Sequence, residues 1–128
     1  INLPVTDLKK SMDFYTAIGF TNNPQFTDET AACMVLSEEI YVMLNTHQKL
    51  ATFTNKEIIN AKKYAGAINS ISVDSLDEAN TMADNAIKNG GIEPTPPQDY
   101  GFMQQRSFED LDGHHWEVIY MDMSKLPQ

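Results

Sequence analysis

A strand followed at once by a capped helix occurs twice in this chain, and that repeat restricts the fold more than any other feature. In the first half, Ile1-Asn2-Leu3-Pro4-Val5 alternates as a strand does, and Asp7 stands where a helix N-cap belongs. Leu8, Met12, Tyr15 and Ile18 then make an apolar stripe that stops at Gly19. In the second half, 67–73 reads as a strand and Ser75 as the cap, with Glu78 in the capping-box place. Leu76, Ala79, Met82, Ala83, Ala86 and Ile87 form the stripe, and Gly90-Gly91 ends it. Val5-Thr6-Asp7-Leu8 and Val73-Asp74-Ser75-Leu76 are the matching junctions. Each half continues into three short strands, at 20–26, 31–36 and 40–45 and again at 92–95, 102–108 and 114–120. The order is βαβββ twice, with too few and too long repeats for a solenoid.

The 128 residues make one domain, divided as 1–46, a polar linker 47–66, and 67–128. Thr54-Asn55-Lys56-Glu57 has capping-box spacing and predicts a short helix inside the linker. Pro94, Pro96 and Pro97 predict a stiff loop ahead of 102. No apolar run nears spanning length and no leader is visible, so neither a membrane segment nor a signal peptide is expected in this stretch. The formal charge is −9 with the basic residues scattered, which argues against nucleic acid and anionic membranes as partners. One cysteine, Cys33, precludes an internal disulfide and suits a reducing cytoplasm. Its apolar surroundings, 31–36, suit a buried structural thiol rather than a nucleophile.

Chemistry is concentrated near the C-terminal end, in Glu109-Asp110-Leu111-Asp112-Gly113-His114-His115-Trp116-Glu117-Val118-Ile119-Tyr120. Asp side chains that fold back on local N–H groups and a glycine free to take positive φ make a tight turn. On the strand that follows, the pleat sends His115, Glu117 and Ile119 to one face and His114, Trp116, Val118 and Tyr120 to the other. A carboxylate on a strand face requires water, a cation or a ligand, which makes Glu117 the first candidate residue. His115, two residues before it, is the candidate relay partner; His114 suits a structural hydrogen bond across the turn, and Trp116 a core anchor.

Val5-Thr6-Asp7-Leu8 with Ser11, Phe14-Tyr15 and Ile18-Gly19-Phe20 resembles the opening motif of the vicinal oxygen chelate superfamily. That superfamily takes in glyoxalase I, bleomycin and fosfomycin resistance proteins and extradiol dioxygenases. Asp110-Leu111-Asp112-Gly113-His114-His115-Trp116-Glu117 resembles its closing motif, with Leu111 where proline is usual. The resemblance implies an α+β fold in which two βαβββ repeats form a curved mixed sheet around a cup, commonly as a homodimer. It also implies a divalent metal held by ligands from four strands, which polarises substrate oxygens.

Only part of that ligand set is present. Glu117 occupies the closing-strand place. The fifth-strand histidine place falls on Ile68, and the fourth-strand carboxylate place falls near Met43, with Tyr41 or Asn45 two residues to either side. The first-strand place lies one residue before Ile1. Ile68 cannot ligate, and a thioether suits a hard divalent ion poorly. The reading therefore expects no resident cofactor, with Glu117 the sole assigned ligand if a divalent metal is bound.

The pleat places Asn2, Tyr41, Met43, Asn45, Ile68, Ser70, Ser72, His115 and Glu117 toward the cup. It places Leu3, Val5, Val42, Leu44, Ile71, Val73, Trp116 and Val118 toward the helices. Methionine and aromatic groups beside a few polar anchors suit a small organic molecule. Arg106, the only arginine, is a candidate carboxylate clamp or a surface ion-pair partner. Three functions remain open. One is a small-molecule binding protein of the bleomycin-resistance type. The second is a metal-dependent lyase, isomerase or resistance transferase resembling glyoxalase I. The third is a metal-free enzyme with Glu117 as general base acting through His115.

Overall fold

A computed structural model describes residues 1–126. The first half contains β1 (Asn2–Val5), α1 (Leu8–Ala17), β2 (Thr21–Asn23), β3 (Ala31–Val35) and β4 (Tyr41–Thr46). A short α2 (His47–Leu50) opens the linker. The second half contains β5 (Ile68–Val73), α3 (Leu76–Lys88), β6 (Gln98–Asp99), β7 (Met103–Glu109) and β8 (His115–Met121). Strand order is β1-β4-β3-β2 in one sheet and β5-β8-β7-β6 in the other, so the repeat seen in the sequence is a repeat of topology. In both, the first strand pairs parallel with the last and the remaining pairs are antiparallel. The two sheets are not hydrogen-bonded into one.

The caps work as their residue types require. Asp7 accepts from the Lys10 N–H at 3.0 Å, and Ser75 accepts from the Glu78 N–H at 3.1 Å. Glu78 reaches back to the Asp74 N–H, one residue before the cap itself. Three expectations change. The strand expected at 20–26 stops at Asn23, and Pro24–Phe26 forms a 3-10 turn capped by the Asn23 side chain. The linker helix forms at 47–50, where the Thr46 hydroxyl accepts from the Lys49 N–H; Thr54 closes only a local turn onto Lys56. The expected strand at 92–95 reduces to one bridge between Ile92 and Glu109, and the edge strand forms at Gln98–Asp99 instead. Pro94, Pro96 and Pro97 lack the N–H groups a ladder needs, so pairing resumes only after them.

The helix-facing sides of both sheets share one core. Leu3, Val5, Val42 and Leu44 from the first sheet and Ile71, Phe108, Trp116 and Val118 from the second enclose Phe14, Tyr15 and Ile18 of the α1 region and Ala79, Met82 and Ala86 of α3. Trp116 is wholly buried, stacked on Phe108 at 6.2 Å and met edge-on by Tyr15 and Phe20. Truncating such a side chain to alanine typically costs ~3–5 kcal/mol. The face assignment read from the pleat therefore holds for the apolar side of each strand.

Candidate functional site

The closing turn is built on Asp110. Its Oδ1 accepts from the Asp112 N–H at 3.0 Å and the His114 N–H at 2.9 Å, while Gly113 takes φ 89° to complete the reversal. Its Oδ2 accepts from the Tyr15 hydroxyl at 2.6 Å, and the Trp116 indole N–H donates to that hydroxyl at 3.1 Å. Burial raises the Asp110 carboxyl above its ordinary value, although the His114 charge and these hydrogen bonds pull it down. Burial, with the adjacent Asp110 charge, raises the Tyr15 phenol well above its own. His114 Nε2 lies 2.7 Å from the Pro4 carbonyl, and the Asp112 carboxylate accepts from both the N–H and the hydroxyl of Thr6. The turn thus pins the second module to the end of β1. This network ties the two modules together through buried groups.

Glu117 lies on the opposite face of β8. Its register partners are Ser70 on β5 and Ser107 on β7, and its Oε2 accepts from the Ser70 hydroxyl at 3.1 Å. Ile68, half exposed, faces His115 in the same register. No hydrogen bond joins His115 to Glu117 among the described residues; the nearest built relationship of Glu117 is with Ser70. A carboxylate and a serine hydroxyl, with Ile68 in the histidine place, do not make the donor set of a divalent metal centre. Among the described residues no group of three or more His, Cys, Asp or Glu side chains could hold an ion. The chain's own residues do not fit the metal that the resemblance implies.

The outward face of the first sheet offers a different surface. Met43 pairs with Asn2 on one side and Cys33 on the other, and Tyr41 pairs with Val35. Together with Phe26, the side chains of Cys33, Val35, Tyr41 and Met43 line a cavity of about 410 Å³, rimmed by Asn23, Ser37 and Glu38. Phe26 and Tyr41 are 65% and 51% exposed, flanking a floor of Met43 and the buried Cys33 thiol. Phe26 escaped the sequence reading. The available signal was an aromatic residue stranded in a polar turn two residues after Pro24.

The remaining candidates separate. Asn45 is buried, and its amide donates to Asn2 Oδ1 at 3.2 Å and to the Met43 carbonyl at 3.1 Å, so it serves the sheet. Arg106 pairs in register with Val118 and so lies on the helix side of β7. Its guanidinium donates to Glu93, Asn80 and Asp84 at 2.8–3.0 Å. Burial works to lower its pKa, but the bonds to Glu93 and Asp84 prevail and raise it. Tyr41 and Met43 share one cavity, and Asn2 and His115 share another; Glu117, Ser70 and Ile68 line neither.

The family model for the glyoxalase/bleomycin resistance protein/dioxygenase superfamily matches residues 1–118. No curated protein matched the sequence. Among solved structures, a hypothetical protein from S. aureus is similar at 26% identity with a TM-score of 0.78, over 93% of this chain and 89% of that one. A glyoxalase/bleomycin resistance protein/dioxygenase family enzyme from Burkholderia phytofirmans is similar in fold at 16% identity and a TM-score of 0.75, over 94% and 95%. The fosfomycin resistance protein FosX from Mesorhizobium loti is similar in fold at 14% identity and a TM-score of 0.68, over 96% and 90%. With both motifs in place and the paired βαβββ topology formed, the chain belongs to the glyoxalase/bleomycin resistance protein/dioxygenase superfamily.

Proposed function

We propose that this protein binds a small, largely apolar organic molecule on the outward face of its first sheet, without a metal held by its own residues. The observation that carries this reading is the cavity in which Phe26 and Tyr41 flank Met43 and Cys33. Two exposed rings over a thioether floor suit a flat, neutral or weakly polar ligand; Asn23 and Ser37 at the rim supply orientation. Phe26, Tyr41 and Ile68 are exposed apolar groups on the non-helical faces of the two sheets. The reading therefore includes a homodimer in which the first sheet of one copy faces the Glu117 sheet of the other. Free, buried Cys33 supports a reducing, cytoplasmic setting.

The test is methionine-methyl NMR with indole as a neutral aromatic probe, alongside light scattering for the oligomeric state. A saturable shift of the Met43 methyl, weakened about tenfold or more by Tyr41→Ala, is the expected result. No saturable shift at Met43, or binding that disappears on adding a chelator, would overturn the reading.

A second reading rests on the bond from Ser70 to Glu117, which orients a carboxylate without neutralising it. In that reading Glu117 is a metal-free general base toward an acidic C–H of the bound molecule. Full turnover of an identified substrate by Glu117→Gln disposes of it.

A further inference from the structure

Of the seven methionines, Met34 and Met82 are buried in the core and Met43 floors the Tyr41 cavity. Three others gather at the far end of the second sheet. Met103 on β7 and Met121 on β8 are direct cross-strand partners, on the face of β8 that carries Glu117. The Asp122 N–H donates to the Phe102 carbonyl at 2.7 Å. The adjacent Met103–Met121 pair is therefore a non-hydrogen-bonded one, the kind whose side chains stand closer. Their Cβ atoms lie roughly 4.5–5.5 Å apart. Asp122 is extended, at φ −100° and ψ 96°, and this returns Met123 to the same face beside Met121. Met103 and Met123 are diagonal neighbours at roughly 7–8 Å, a gap that long side chains span.

Core packing accounts for Met34 and Met82 but not for these three. Met121 and Met123 are 47% and 64% exposed, and Met103 is half-buried. What they share is a soft, uncharged, polarizable sulfur at the end of an adaptable stem. Thioethers suit a soft monovalent ion and give a hard divalent ion little in exchange for its water. The carboxylate between them in sequence, Asp122, alternates to the other face. It accepts there from the Ser124 N–H and hydroxyl and lies 3.9 Å from the Lys125 ammonium. Glu117 is four residues back along β8, roughly 13 Å away at about 3.3 Å per residue. The cluster is a place of its own.

We propose that Met103, Met121 and Met123 form a three-thioether site for a soft monovalent cation of the Cu(I) type. Each sulfur gives one lone pair, and the three stems close on the ion from fixed strand positions without displacing either strand. The charge of −9 favours approach of a cation. Thioethers have no proton to lose, so uptake is insensitive to pH where thiolate and imidazole sites weaken.

The experiment is ¹³C methyl NMR of the methionine-labelled whole chain, using Ag(I) as a redox-stable probe. Silver nitrate is titrated in chloride-free buffer, with zinc and magnesium nitrate in parallel. The expected result is a joint, saturable shift of the Met103, Met121 and Met123 methyls, with Met34 and Met82 unmoved. Zinc and magnesium are expected to move none of the three. Met121→Leu keeps the volume but removes a sulfur, and is expected to weaken silver binding about tenfold or more at the two remaining methyls. Lowering the pH from about 7 to 5 is expected to change the affinity by less than about twofold. Silver that moves only the Met43 methyl is held by the neighbouring Cys33 thiol and overturns the proposal. So does an equal response to zinc, independent titration of the three methyls, or undiminished binding by Met121→Leu. Should that variant fail to fold, joint saturation and the preference for silver over zinc in the unaltered chain decide. Indole binding at Met43 reports on the other site, so one can fail without the other.

Discussion

The hydroxyl of Tyr15 donates to the carboxylate of Asp110 at 2.6 Å, across 95 residues of chain and in a place water does not reach. Tyr15→Phe removes one oxygen and leaves two buried groups, Asp110 Oδ2 and the Trp116 indole N–H, without that partner. The expected loss of stability is about 2–4 kcal/mol, more than an isolated hydroxyl deletion gives. Urea unfolding measures it, and a loss below half a kcal/mol on the order of surface substitutions would contradict the arrangement.

Asp110 makes stability depend on pH in an uncommon direction. Burial raises its carboxyl above the ordinary 3.8, so the folded state holds that proton more tightly than the unfolded chain does. The associated stabilisation is complete below 3.8 and is lost as pH rises through the folded value. Asp110→Asn cannot titrate and keeps an oxygen for the Asp112 and His114 N–H groups. Measured by urea midpoints between about pH 4 and 7, the unaltered protein is expected to lose stability relative to the asparagine variant as pH increases. Parallel pH profiles would refute this.

Gly113 is required twice over. Its φ of 89° strains any residue with a side chain, and a Cβ there would stand 2.7 Å from the Lys62 nitrogen and 2.8 Å from the Ala61 carbonyl. Those contacts are with backbone, which cannot turn aside. Gly113→Ala is expected to cost about 2 kcal/mol or more and to speed amide exchange over 60–64, where the linker is displaced. Unchanged exchange in that segment would show that the linker does not rest on the turn.

Arg106→Met separates a structural ion-pair hub from a ligand clamp. The guanidinium reaches Glu93 and Asp84, of which Glu93 is the less exposed. Removing it is expected to cost about 1 kcal/mol, because the lost hydrogen bonds are partly screened by solvent. Indole affinity at the Met43 cavity should stay within twofold or so, as for a residue on the helix side of the other sheet. A large fall in affinity would put Arg106 back among the binding residues.

Much of the architecture was legible because it is set locally. Asp7 and Ser75 cap helices through their immediate neighbours, and alternation along 40–45 and 114–120 assigns each side chain a face. The Asp110 turn was legible for the same reason. The failures have a common cause. Asn45 has the face expected of a cup residue, yet Asn2, which lies 43 positions away, takes up its amide. Arg106 belongs to a strand whose neighbours are α3 and the proline loop, a fact of tertiary packing. The pleat says which way Tyr41 and Glu117 point from their own sheets; it does not say that the two sheets look into the same space. The metal-ligand gap was legible at Ile68, because no arrangement of the chain gives isoleucine a donor atom.

Trp116, Phe108, Tyr15, Phe14 and Phe20 come from both halves and form one cluster. A duplicated pattern in the sequence therefore does not yield two autonomous folding units. Neither half can bury its aromatic side chains alone, so a cut within 51–66 should release two largely unstructured fragments that regain order only on recombination. The intact chain should melt in a single transition, at a folding rate limited by the search that brings residue 15 to residue 110.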